Sequence, residues 1–185
     1  AAFFEVRLRG YDRHMLQNID GADAFYTFTA TQLPVGDNIH LLDLGCGTGK
    51  LTRLMEEKGY DMIGVDSSYD MLNVAMEKRG DRNILYLNQD AGEFELYGTV
   101  DAIVCLQDSI NYITDEDSID GLFWGADNYL NPGGLFIFDV NTPEKLRAMD
   151  GQVFLDEDDD VYCVWRGEFD EQTNICSYGM DLFQR

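Results

Sequence analysis

The amino-acid sequence predicts an α/β fold built on a doubly wound parallel sheet. Three observations point there. Short apolar runs alternate with helical patterns between residues 39 and 140, and such alternation implies parallel strands joined by right-handed crossovers. The run Leu41-Leu42-Asp43-Leu44 opens into glycines at alternate positions, Gly45, Gly47 and Gly49. A helical pattern follows at once, so the loop sits at the carboxyl end of a strand, where open α/β sheets bind ligands.

Two helices come first. One covers 3–17, anchored by Phe4, Leu8, Met15 and Leu16; the other covers 23–33 and is ended by Pro34. The first strand is predicted over 39–44. The helix over 50–58 puts Leu51, Leu54 and Met55 on one face, and Gly59 suits its left-handed cap. The second strand covers 61–65. Ser67 and Asp70 fit a capping box opening a helix to Arg79, where Lys78 and Arg79 complement the dipole and Gly80 follows. Strands three and four cover 83–88 and 100–106. The helix over 118–130 turns Ile119, Leu122, Phe123 and Ala126 inward. Asn131-Pro132-Gly133-Gly134 is a turn, the fifth strand covers 135–140, and Thr142-Pro143 opens a short helix. The acidic run 156–160 breaks the pattern. Two β-rich runs, 161–169 and 175–183, then read as a hairpin around the polar segment 170–174.

The 185 residues are 45% apolar, enough for one domain with a substantial core. The expected organisation is one domain over 1–185. It has a helical lid over 1–35, a ligand-binding core over 36–150 and an added β-hairpin over 151–185. No apolar run is long enough to span a membrane, and the amino end carries no basic segment leading into an apolar core. Cys46, Cys105, Cys163 and Cys176 form no CxxC pair, so they read as reduced thiols in a cytoplasmic protein, without zinc. Acidic residues number 35 against 13 basic, a net charge of −22. That surface repels nucleic acid and favours a cationic small molecule, although solubility is its plainer meaning.

Three nucleotide-binding patterns compete for the glycine loop. A P-loop needs four residues between its glycines, and Ser or Thr after its lysine. Here three residues separate Gly45 from Gly49, and Leu51 follows Lys50. The dinucleotide fingerprint needs its third glycine where Lys50 stands. What remains is Asp-x-Gly-x-Gly-x-Gly, as Leu42-Asp43-Leu44-Gly45-Cys46-Gly47-Thr48-Gly49. Four further motifs follow in order: Gly64-Val65-Asp66-Ser67-Ser68-x-x-Met71-Leu72, Asn88-Gln89-Asp90-Ala91, Asp101-Ala102-Ile103-Val104 and Leu130-Asn131-Pro132-Gly133-Gly134. On these motifs the sequence resembles the class I S-adenosylmethionine-dependent methyltransferases. The run Asp108-Ser109-Ile110-Asn111-Tyr112 and the late hairpin look like a bacterial small-molecule subgroup of that family, whose substrates are mostly unassigned.

The resemblance implies a Rossmann-like sheet of order 3-2-1-4-5, with S-adenosyl-L-methionine over the glycine loop. The family's full fold has seven strands, the last two an antiparallel pair against the fifth. This chain offers five parallel strands and one hairpin. The expectation is therefore an added β-element, with the usual final strands missing from a chain truncated at its carboxyl end. In the implied site, main-chain groups of Gly45, Cys46 and Gly47 line the methionine and ribose. Asp43 attracts the ammonium, directly or through water. Asp66 lies 23 positions after Asp43 and accepts both ribose hydroxyls beside Ser67. Asp90 accepts the adenine amino group, and the Ala91 backbone serves a ring nitrogen. Met71 brushes adenine, although Met71, Leu72, Ala75 and Met76 at helical spacing read first as core. Leu106 and Gln107 stand near the sulfonium. Tyr11, toward the cofactor, and His14 lie on the first helix as a lid.

Asp108, Asn111 and Tyr112 follow the fourth strand, where the acceptor meets the methyl group. Asp108, Tyr112 and His14 are the candidate catalytic residues, Asp108 as a general base or a hold on a substrate amine. A turn carboxylate and a surface histidine are the plainer readings of Asp108 and His14. His40 reads as structural, and the acidic run as a solvated loop rather than a metal site. The implied reaction is direct displacement: a small-molecule nitrogen, oxygen or carbon takes the methyl, and S-adenosyl-L-homocysteine leaves. Alignment supplies most of the catalysis. Two other functions fit the same pocket, a non-catalytic cofactor-binding module and an aminopropyl transferase using decarboxylated cofactor.

Overall fold

Strand β1 (His40–Leu44) is buried on both faces, which is why its sequence is an almost unbroken apolar run. The computed structural model describes residues 22–157 and 161–184. Tyr11, His14 and the helix expected over 3–17 lie outside the described residues, as do Asp158, Asp159 and Asp160. The chain divides into two compact units, one ending at Asp139 and the other beginning at Val140. The short helix after Thr142 groups with the second unit.

In the first unit, α1 (Ala22–Gln32) precedes β1. Helix α2 (Lys50–Glu56) leads to β2 (Asp61–Asp66), and α3 (Tyr69–Arg79) leads to β3 (Ile84–Asn88). Next come β4 (Val100–Cys105), a 3₁₀ turn at Ser109–Tyr112, α4 (Glu116–Tyr129) and β5 (Leu130–Phe138). The five strands form a parallel sheet in the order β3-β2-β1-β4-β5, as the sequence predicts. β1 pairs with β2 on one side and β4 on the other. The order reverses there, and open sheets of this kind bind ligands at the carboxyl ends beside such a reversal.

Side chains alternate across the sheet. Leu41, Ala102 and Val104 pack with Tyr26, Leu51 and Met55 on the α2 face. Leu42, Leu44, Ile103 and Cys105 pack with Val65, Leu122 and Ala126 on the α4 face. Burying each large apolar side chain contributes about 1.5–3 kcal/mol, and this fixes the register that carries Asp43 and Asp66 to the strand ends.

Element ends differ from expectation in ways that side chains explain. The cap of α3 is Ser68, not Ser67: its hydroxyl accepts the Met71 N–H at 3.3 Å. Helix α4 starts two residues early because the Asp115 carboxylate accepts the Ser118 N–H at 2.8 Å. The turn at residues 131–134 is a bulge within β5, since Val100 faces Leu130 and Ala102 already faces Leu135. Leu72 and Ala75 are core, but Met76 is exposed. Phe123 is also exposed, and its ring packs edge-on against Phe136 and Phe138.

In the second unit, Thr142 caps α5 (Pro143–Arg147) by accepting the Lys145 N–H at 3.3 Å. Strands β6 (Val153–Glu157), β7 (Val161–Asp170) and β8 (Ile175–Gln184) form an antiparallel sheet in that order. The expected hairpin is β7–β8, and β6 is an addition to it. Asp156 and Glu157 of the acidic run pair opposite Cys163 and Tyr162, so that part of the run is strand rather than loop. β6 is an edge strand of this sheet, and sheet edges tolerate charged residues well. Among the described residues no disulfide forms, and no helix is long and apolar enough to cross a membrane.

Candidate functional site

The glycine loop is tied down over the end of β2. The Gly45 and Cys46 N–H groups both donate to the Val65 carbonyl, at 2.8 and 3.0 Å. Arg53 Nη1 donates to the Thr48 carbonyl at 2.7 Å. All three glycines have positive φ, at 78°, 53° and 70°, where any other residue is strained. Their surroundings separate them. A Cβ at Gly45 would press on Ser109, 2.7 Å from its Oγ, and one at Gly49 would overlap the Tyr86 hydroxyl. A Cβ at Gly47 would meet nothing within 4 Å. Internal packing accounts for Gly45 and Gly49, whereas Gly47 presents bare backbone to open space.

Asp66 ends β2 and reaches back to this loop. Its Oδ2 accepts the Gly47 N–H and its Oδ1 accepts the Ser68 N–H, each at 2.8 Å. An ionised carboxylate has about four lone-pair sites, so each oxygen keeps capacity for a further donor. Asn88, opposite Asp66 in β3, donates from Nδ2 to the Asp66 and Ser67 carbonyls, both at 2.9 Å. The sequence motif contains Asn88, but sequence reasoning gave it no task; an amide at a strand end beside an acid was the available signal. Asp90 is exposed, and its Oδ1 accepts the Gly92 N–H at 2.8 Å in a tight turn. Met71 and Ala91 are half-buried, while Ser67 is exposed.

Asp43 lies inside the protein rather than on the loop surface. It is 3% exposed, and the Thr52 hydroxyl of α2 donates to its Oδ2 at 2.6 Å. Burial pushes its pKa up to about 7; the Thr52 hydrogen bond opposes this shift, and the Asp66 charge adds to it. Burial likewise raises the Cys46 thiol, which makes it a packing residue rather than a thiolate.

Leu106 is buried in the α2-face core, and its carbonyl accepts the Ser109 hydroxyl at 2.7 Å. Gln107 and Asp108 are consecutive left-handed residues, with φ of 62° and 52°. Such conformations cost of order 1–3 kcal/mol each. Asp139, just past β5, holds them: its Oδ2 accepts the Asp108 N–H at 3.0 Å. Asp139 was not singled out from the sequence. Tyr112 ends the 3₁₀ turn and is 78% exposed.

The structure thus gathers Gly47, Asp66 and Asp90 at the carboxyl ends of β1 to β3, with Gln107, Asp108 and Tyr112 after β4. His40 stands at the opposite end of β1. Its Nδ1 lies 3.0 Å from Asp61 Oδ2, and its N–H donates to Asp101 Oδ2 at 2.9 Å. Both contacts are structural.

The methyltransferase domain family matches residues 41–134, the stretch from the glycine loop to the bulge of β5. The chain belongs to the S-adenosylmethionine-dependent methyltransferases. It is 34% identical over 129 residues to the protein named "Putative methyltransferase YqeM" of Bacillus subtilis, covering 68% of this chain and 52% of that one. It is also similar to a crystal structure of a S-adenosylmethionine-dependent methyltransferase from Clostridium acetobutylicum. There the identity is 32% and the TM-score 0.75, over 88% of this chain and 65% of that one. The sugar N-methyltransferase KedS8 from Streptoalloteichus sp shares the fold, with TM-score 0.70 and 21% identity over 97% of this chain and 76% of that one. The chain spans about half the length of the curated relatives it matches.

The cofactor of a methyltransferase of this class is S-adenosyl-L-methionine. The residues present fit it on one structural ground. Gly47 offers backbone without a side chain to open space, and Asp66 beside it retains acceptor capacity.

Proposed function

We propose that the protein to which this chain belongs transfers a methyl group from S-adenosyl-L-methionine to a small-molecule acceptor. The observation that carries the reading is the Asp66–Gly47 hydrogen bond, which sets an acid with spare acceptor capacity beside an unobstructed glycine backbone. When bound, the cofactor supplies an electrophilic methyl on a sulfonium sulfur. Main-chain groups at Gly45, Cys46 and Gly47 would line its methionine and ribose, and Asp66 would accept the ribose hydroxyls. Asp90 and Ala91 would meet adenine, with Met71 against its ring. Asp43 would favour the ammonium from below the loop, its charge transmitted through the bend rather than by direct contact.

Gln107, Asp108 and Tyr112 would face the acceptor. A left-handed kink at a strand end exposes backbone and side chain together, which suits holding a nucleophile in line. Asp108 is the residue placed to orient an amine or take a proton. The net charge of −22 supports a small, neutral or cationic acceptor and disfavours nucleic acid. That charge, and not likeness of fold, carries the choice of acceptor class.

The test is direct. The chain is incubated with S-adenosyl-L-methionine and a panel of small amines and alcohols, and S-adenosyl-L-homocysteine formation is measured. Acceptor-dependent product supports the reading. Failure to bind S-adenosyl-L-homocysteine, with no product from any acceptor, overturns it.

A further inference from the structure

We infer that Asp139 is a positioning residue for methyl transfer: it holds the Gln107–Asp108 kink and so aims the acceptor side of the site. The inference rests on the methyltransferase reading above and names a residue which that reading does not use.

Three observations meet at this side chain. First, Asp139 Oδ2 accepts the Asp108 N–H at 3.0 Å, across the ends of two paired strands. Cys105 lies opposite Phe138 in the β4–β5 register, so Asp139 is the first residue past the ladder and reaches sideways to the kink. Second, the backbone it holds is strained at two successive non-glycine residues, Gln107 and Asp108. Such a conformation persists only where the surroundings over-determine it. The Asp108 carbonyl accepts the Asn111 N–H at 2.9 Å and starts the 3₁₀ turn to Tyr112, so the orientation of Asp108 passes on to Asn111 and Tyr112. Third, the other Asp139 oxygen, Oδ1, is shielded from solvent and has no hydrogen-bond partner among the described residues. A carboxylate half satisfied in this way is a poor choice for stability alone. An apolar residue would pack there without leaving an oxygen unpaired, but it could not accept the Asp108 N–H.

The sheet order sets the direction of the effect. β5 lies beyond β4 from β1, so Asp139 acts on the kink from the side away from the glycine loop. Its loss bears first on Asp108 and Tyr112, while Gly47 and Asp66 are held by a hydrogen bond of their own.

The experiment compares the chain with Asp139→Ala and Asp139→Asn. Asparagine keeps an acceptor oxygen for the Asp108 N–H; alanine keeps none. Three quantities are read: amide hydrogen exchange at Asp108 by NMR, S-adenosyl-L-homocysteine affinity by calorimetry, and methyl transfer on the amine and alcohol panel. In Asp139→Ala, exchange at Asp108 should accelerate at least about tenfold and transfer should fall about 10- to 100-fold, the range for a misaligned reacting group. S-adenosyl-L-homocysteine affinity should stay within about twofold, and Asp139→Asn should restore both altered quantities. Unchanged exchange at Asp108, or full transfer by Asp139→Ala, overturns the inference. So does a parallel loss of S-adenosyl-L-homocysteine affinity, which would make Asp139 a support of the whole fold. A wild-type chain that binds no S-adenosyl-L-homocysteine fails the methyltransferase reading instead, and the exchange measurement still decides whether Asp139 holds the kink.

Discussion

Asp66 Oδ2 accepts the Gly47 N–H at 2.8 Å, so the acid that ends β2 also holds the backbone of the loop that follows β1. Two motifs far apart in sequence become one device. The loop cannot shift without moving the carboxylate, and the carboxylate cannot turn without releasing the loop.

Two glycine substitutions separate packing from ligand access. Gly47→Ala adds left-handed strain of about 1–2 kcal/mol but meets nothing within 4 Å. Its melting temperature should fall by only a few degrees, while S-adenosyl-L-homocysteine affinity drops at least tenfold, about 1.4 kcal/mol. Gly49→Ala carries the same strain and drives its methyl into the Tyr86 hydroxyl. It should lose more stability than Gly47→Ala in thermal denaturation. The reverse order would show that the wrong glycine has been assigned to the ligand.

Asn88→Ala tests the brace beneath Asp66. It removes two hydrogen bonds to the Asp66 and Ser67 carbonyls and should cost about 1–3 kcal/mol of stability. S-adenosyl-L-homocysteine affinity should fall as well, because the strand end carrying Asp66 loosens. A destabilised variant with unchanged affinity would confine Asn88 to the fold.

The contrast between Asp66 and Asn88 marks how far the sequence could be read. The parallel sheet followed from the alternation of elements, because a strand buried on both faces, such as β1, shows its burial in composition; its order came from the family resemblance. Asp66 stood out because its spacing from Asp43 matches a known motif, and the structure puts it at the end of β2. Asn88 and Asp139 did not stand out, because each acts on the backbone of a different strand, and no local pattern records that contact. Asp43 lies within an apolar run, but its burial against Thr52 depends on the packing of α2. Strand β6 was missed because the charge in 156–160 reads as a loop, although an edge strand tolerates such charge.

Asp43 predicts a pH dependence. Its ordinary value of 3.8 rises to about 7 in the folded chain. Between those values the folded state binds a proton that the unfolded state has lost, so this group's contribution to stability falls as pH rises. The contribution is fully present below about pH 4 and lost above about pH 7, an upper bound of about 4 kcal/mol. Asp43→Asn removes this dependence and can still accept the Thr52 hydroxyl. The melting temperature of Asp43→Asn relative to wild type should therefore climb between pH 5 and pH 8. A difference that stays constant over that range would mean the carboxyl titrates normally.

If the site works as proposed, Asp66 grips the ribose of the cofactor while it holds Gly47. Calorimetric titration of S-adenosyl-L-homocysteine into the chain and into Asp66→Ala, with circular dichroism to confirm that both are folded, tests it most directly. The wild type should bind and the variant should lose at least tenfold in affinity, about 1.4 kcal/mol or more. Equal affinity in two folded proteins would contradict it.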